Sequence, residues 1–205
     1  MHEFTSNPDL FVHSWLLSYA RSGRILRLSL ILYRIMNRPD KTEYFEYYDT
    51  YVSTVEGDDV LPVLEKQTAE LRQLFADIPE EKGLFSYADG KWTVKELLSH
   101  IIDGERIFAY RILRISRRDA TPIEGFEQDG YIENSNANNR CIAELIDEFD
   151  LQRRANLLML KNISDENSRL IGTASEKPVS VRALAYISAG HVTHHVGILR
   201  DRYLV

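Results

Sequence analysis

The residues with the most chemical promise in this 205-residue chain are its six histidines. His191 and His195 stand four apart in the run His191-Val192-Thr193-His194-His195. On an α-helix each residue advances about 100°, so a spacing of four leaves the two rings roughly 40° apart on one face. Leu184, Ile187, Ser188, Ile198 and Leu199 share that face, which turns both imidazoles inward. Two neighbouring imidazoles in a core cannot both be charged cheaply, and when neutral each offers one lone pair to something between them. A divalent metal ion is the usual occupant of such a pair. His194 lies about 60° to one side of His191, at the border of the stripe, and ranks below the other two. His100 sits in a second long helical stretch, beside its apolar stripe, with Leu97, Gly104 and Ile107 one turn away. Three imidazoles with an open position form the arrangement of a catalytic metal centre. A single HxxxH also arises on helices by chance, and the third His is what brings the metal reading level with core packing. The pattern is not that of a protease zincin, because Val192 stands where a Glu would follow the first His.

Other candidates surround this set. Asp103, three residues after His100, can orient a ligand or bound water, or can be a solvated or helix-pairing carboxylate. Asp129 and Tyr131 fall on a long polar loop that can cover the metal. Arg106 and Arg111 can clamp an acidic substrate, or can pair with Glu105 or the acidic loops. The lone cysteine, Cys141, lies in the helix-like run Cys141-Ile142-Ala143-Glu144-Leu145 with no His near it in sequence, and reads as packing.

Four long helices are expected to position these groups. Residues 58–77 read as the first, with Asp58 or Asp59 as cap, Pro62 in the first turn and Leu64, Leu71, Leu74 and Phe75 as its stripe. The second runs from the capping box Thr93-Val94-Lys95-Glu96 to about Arg117, with Val94, Leu97, Ile101, Phe108, Ile112 and Ile115 at the 3.6-residue period. Residues 119–138, with Pro122, Gly125 and Gly130, form a long loop, and loops of that length are often functional. Residues 139–162 make the third helix, residues 163–179 a connection, and Ser180 caps a last helix reaching about Tyr203. Tyr44, Tyr47, Tyr48 and Tyr51 suit a short amphipathic helix or packed arm, as core or edge packing. The fold class is therefore all-α, a four-helix bundle.

Bulk properties exclude other classes. The net charge of −6 lacks the basic surplus of a nucleic-acid binder, and the pairs Arg117-Arg118 and Arg153-Arg154 read as solvated faces. A lone cysteine argues for a reducing, cytoplasmic location. A chain this long buries a core without metal or disulfide, so a metal here serves chemistry.

Residues 1–35 form a separate segment. Residues 10–38 hold Arg21, Arg24, Arg27, Arg34 and Arg38 and no acid. The apolar run Leu26 to Ile35 is too short and too charged to span a bilayer. An organelle-targeting segment, an extra helix and a start assigned too early are the three readings. The last is favoured, with the native start at Met36 and no function in residues 1–35, and the functional domain is taken as 36–205.

Several separated motifs resemble one family. Lys91-Trp92-Thr93-Val94-Lys95-Glu96-Leu97-Leu98-Ser99-His100-Ile101-Ile102-Asp103 and Glu105-Arg106-Ile107-Phe108-Ala109-Tyr110-Arg111 are similar to the second helix of the DinB-like superfamily. Phe126-Glu127-Gln128-Asp129-Gly130-Tyr131 resembles its central loop. The run from Val181 to His191, then His194-His195 and Arg200-Asp201-Arg202-Tyr203-Leu204, resembles its last helix. The resemblance spans about residues 36–205. It implies a DinB/YfiT-like four-helix bundle with an up-up-down-down course. It also implies a metal, commonly zinc or nickel, on His100, His191 and His195, and pairing as a homodimer. Related members use low-molecular-weight thiols such as bacillithiol or mycothiol, and others are called hydrolases. The activity expected is a thiol-dependent S-transferase acting on small electrophiles. The alternatives are a hydrolase using a metal-bound water and a non-catalytic metal-binding or interaction protein. No nucleic-acid or membrane partner is expected.

Overall fold

The computed structural model describes residues 35–204, so His2, His13 and the expectation for the N-terminal segment lie outside the described residues. Four long helices carry the fold: α1 Val60–Ala76, α2 Val94–Ser116, α3 Ile142–Leu160 and α4 Val181–Ile198. Their starts follow the capping signals. Asp59 accepts from the Leu61 amide, Thr93 and Glu96 form the reciprocal box, and Ser180 accepts from Ala183. Each such cap satisfies amides that have no partner inside the helix, typically worth about 1 kcal/mol. The end of α4 widens into a π-helical turn, Leu199–Tyr203.

Both α1 and α2 pack against both α3 and α4. Contacts at the helix ends set the directions. The Tyr203 hydroxyl donates to the Trp92 carbonyl at 2.7 Å, which places the end of α4 beside the start of α2. The Ile142 amide donates to Glu80, so α3 starts where α1 ends. Thr93 donates to Asn138, so α2 and α3 start at the same end. Gln67 donates to the Ala189 carbonyl, which aligns α1 with α4. The four-helix bundle is as expected, and around it the directions read up, up, down, down. Along the chain, however, they read up, down, down, up, and this corrects the expected course. Parallel neighbours α2 and α3 require a return along the whole length of the bundle, and residues 117–141 make it. The long loop is therefore a crossover. It holds a short helix, Gln128–Glu133, that loop composition did not reveal.

A two-stranded hairpin, β1 Ile171–Ala174 with β2 Lys177–Ser180, was also not expected. Its turn residues Ser175 and Glu176 both have positive φ, the twist that suits a two-residue hairpin turn. Ile123 of the crossover bridges to Ala174 and fastens loop to hairpin. The tyrosine-rich arm forms short turns, Lys41–Glu43, Glu46–Tyr48 and Asp49–Val52, and the Asp49–Val52 turn packs on α4. It can do so because Gly190 is a glycine: a Cβ there would run into the Tyr51 carbonyl.

Two expectations on single residues fail. Arg153 is fully buried rather than solvated, because it pairs with Glu105. Cys141 is exposed rather than packed, because it caps α3 with its amide held by Glu144. Among the described residues no helix is long and apolar enough to cross a membrane.

Candidate metal centre

His100, His191 and His195 converge although 91 residues separate the first two. The register of α2 against α4 brings them together. His191 Nε2 lies 2.9 Å from His100 Nε2 and 3.1 Å from His195 Nε2. All three are buried, and among the described residues they are the cluster able to hold a metal ion. Gly104, one turn after His100, makes the space: a Cβ there would stand 2.8 Å from His191 Cε1. Trp92 stacks on His100 with centroids 4.7 Å apart. Tyr51 and Phe108 meet the His191 ring edge-on at 5.7 and 5.5 Å.

Burial favours the neutral imidazole, and it pushes His100 down to about 4, His195 to about 3 and His191 well below the usual value. Neighbouring imidazoles add to this, His195, His100 and His194 acting on His191, His100 and His194 on His195, and His194 on His100, and Arg153 adds to the effect on His191. At neutral pH the cluster is therefore three uncharged rings with their Nε2 atoms turned on one another. A tetrahedral ion with metal–nitrogen bonds of about 2.0–2.1 Å needs ligand nitrogens roughly 3.3–3.4 Å apart, so the observed spacing needs to open by only a few tenths of an ångström. The donor set thus suits a divalent ion of borderline softness. His195 Nδ1 is buried without a hydrogen-bond partner among the described residues. His194 is exposed and meets Tyr51 edge-on with ring centroids 5.6 Å apart.

The other expected residues separate into different places. Asp129 and its neighbour Gln128, on the crossover, line a cavity of about 320 Å³ that also exposes His195, with Trp92, Tyr87 and Tyr203 as walls. Asp103 and Tyr131 line a different cavity, of about 690 Å³. Burial raises the Asp103 carboxyl, Arg106 partly offsets this, and among the described residues no hydrogen bond joins Asp103 to the three imidazoles. Arg106 is engaged by Glu148 and Asp103. Arg111 is buried near the far end of α2, toward the hairpin.

Sequence reasoning missed Trp92, Tyr51 and Gln128 as neighbours of the site. It also missed the buried network behind α2: Glu105 pairs with Arg153 and accepts from Asn156 at 2.8 Å and Ser188 at 2.9 Å. Ser188 one turn before His191 was the available signal, being a polar group on the stripe of α4.

The sequence model of the DinB superfamily matches residues 64–199. No curated protein matches the sequence. Among solved structures, the bundle is similar to YfiT from Bacillus subtilis, described as a "probable metal-dependent hydrolase with an unusual four-helix bundle topology". The TM-score is 0.64 at 15% identity, over 80% of this chain and 89% of that one. It is also similar to a mycothiol-dependent maleylpyruvate isomerase, with a TM-score of 0.56 at 13% identity, over 67% of this chain and 58% of the other. At such identities the likeness is one of fold.

Proposed function

The chain belongs to the DinB superfamily, and on that premise we propose that it is a metal-dependent enzyme acting on small molecules, with His100, His191 and His195 holding one divalent ion. Zinc and nickel are the ions proposed. The activity proposed is transfer of a low-molecular-weight thiol to a small electrophile, by a homodimer of the 36–205 domain in the cytoplasm. The observation that carries the reading is the meeting of three buried neutral Nε2 atoms within hydrogen-bond distance, with no carboxylate among them to cancel a cation's charge.

When bound, a divalent ion lowers the pKa of the thiol or water that takes its open position, making a nucleophile near neutral pH. The chain's own groups do the rest. Trp92, Tyr51 and Phe108 fix the planes of the rings and keep water from their edges. The 320 Å³ cavity beside His195 admits a small reactant from the end of the bundle. Asp129 lines that cavity, and its carboxylate is the group proposed to accept a proton from a reactant bound there. The protein supplies no sulfur of its own at this place, since Cys141 is exposed at the start of α3, and a thiol co-substrate fills that need.

A hydrolase is the second reading, favoured by the fuller overlap with YfiT. The two separate in one assay. Conjugation of a model electrophile that requires added bacillithiol, mycothiol or glutathione supports the transferase, whereas ester or amide cleavage without thiol supports the hydrolase. Bound metal with neither activity leaves the non-catalytic reading. Metal analysis of the purified protein against His195→Ala tests the centre itself: about one equivalent is expected in the parent and little in the variant.

A further inference from the structure

The cavity of about 690 Å³ between α2, α3 and the crossover is lined by an odd number of charges. Three carboxylates, Asp103, Glu127 and Glu148, stand against two guanidiniums, Arg106 and Arg140. Glu148 takes both arginines, Arg106 on one oxygen and Arg140 on the other. Asp103 is left with the same Arg106 at 3.7 Å, too long for a hydrogen bond. Glu127 has no ion pair among the described residues and accepts from the Gly130 amide at 2.9 Å. The lining therefore carries one negative charge more than positive. Asp103 is the loosely paired carboxylate in a sheltered place: its side chain is 25% exposed. Burial raises it, so it gains from a closer cation.

Ser99 is the second observation. It precedes Asp103 by one turn of α2, on the same face, and lines the same cavity. It is 7% exposed, and its hydroxyl, which is not sealed off, has no hydrogen-bond partner among the described residues. A helical serine often donates to the carbonyl four residues back, and this one does not. A buried hydroxyl left without a partner is costly, and proteins leave few. Side chains four apart on a helix have Cβ atoms about 5–6 Å apart, a gap that one ammonium group spans.

We propose that this cavity binds a small organic primary amine, its ammonium shared between the Asp103 carboxylate and the Ser99 hydroxyl and its apolar body against Ile102 and Tyr131. The sign of the lining calls for a cation, and Glu148 already occupies both arginines that an anion would need. An ammonium brings three donors to oxygens that can accept them, and its bond to a carboxylate is a strong one. A bare metal ion does not suit the place, because the three carboxylates are not gathered around one point. The volume is that of a site for a small molecule. The cavity is distinct from the one beside His195, and the assignment does not rest on the metal reading.

Titration calorimetry on the full chain tests it, with benzylamine as probe and benzyl alcohol and benzoate as comparators of similar shape. Benzylamine is expected to bind saturably and at least about tenfold more tightly than either comparator. Asp103→Asn, which keeps the shape and removes the charge, is expected to weaken it by about tenfold or more. Ser99→Ala should weaken it about threefold to tenfold, and His195→Ala should leave it within about twofold. Absence of saturable binding, benzyl alcohol or benzoate binding as tightly as the amine, unchanged binding in Asp103→Asn, or loss in His195→Ala would each overturn the proposal. Should Asp103→Asn fail to fold, Ser99→Ala decides, since it removes one oxygen from a helix that favours alanine: weakened amine binding sustains the site, and unchanged binding overturns it.

Discussion

An imidazole serves a cation only while it is neutral, and this chain keeps three neutral by burying them together. The consequence for stability has a definite sign. In the unfolded chain the rings take up protons near pH 6.5, whereas folded His100 and His195 hold out to about 4 and about 3. Between those values the unfolded state binds more protons, so stability falls as pH drops. For protein stripped of metal, urea midpoints are expected to be flat above about pH 7 and to decline from about 6.5 toward 4. His195→Ala should show a shallower decline, and an equal slope in both would contradict the assignment. Gly104 offers a second residue-level test. Alanine favours a helix by roughly 0.5–1 kcal/mol over glycine, but its Cβ would press on His191 Cε1 at 2.8 Å. Gly104→Ala should therefore leave stability within about 1 kcal/mol while weakening metal affinity about tenfold or more, read by competition with a chromophoric chelator.

The four helices work as two parallel pairs, and the elements between them carry the consequences. Because α2 and α3 start at the same end, the crossover has to run the length of the bundle, and in doing so it brings Gln128 and Asp129 beside His195. On α4, Gly190 lets the arm's backbone touch the helix. Gly190→Ala has a rigid carbonyl in its way rather than a side chain that can turn, so a loss of about 1–3 kcal/mol is expected, measured by denaturant unfolding. Between α2 and α3 the Arg153–Glu105 pair is buried and shared with Ser188 of α4. Arg153→Met strands the Glu105 carboxylate and should cost about 3–5 kcal/mol. Adding Glu105→Leu should recover much of that, because a buried ion pair replaced by apolar groups of similar volume is often neutral. A double variant no better than the single one would show that the pair does more than balance itself.

Taken as a whole, the bundle has two apolar clusters, one built around the first half of α4 and the arm, the other around the starts of α2 and α3 and the end of α4. A core of this extent does not need a metal to fold, so a bound ion should add to stability rather than create it. At free metal about a hundred times its dissociation constant the gain is about 2.7 kcal/mol. Chelation is accordingly expected to lower the melting temperature of the parent by several degrees without unfolding it at 25 °C, and to leave His195→Ala unmoved. Unfolding on chelation alone would make the site structural.

Periodicity and capping were legible in the chain itself. The helical stripes of residues 58–77, 93–117 and 139–162, the Thr93 box and the HxxxH of the last helix are local patterns, set by neighbours three and four residues away, and each appears in the fold within a few residues of its expected bounds. Direction, pairing and cavity are another matter, because they depend on which groups meet across the bundle. That the chain runs up, down, down, up, that Arg153 finds Glu105, and that Asp129 rather than Asp103 shares a cavity with His195 follow from contacts between residues tens of positions apart. A local spacing can turn a side chain inward. Only the packing of whole helices determines what it meets there.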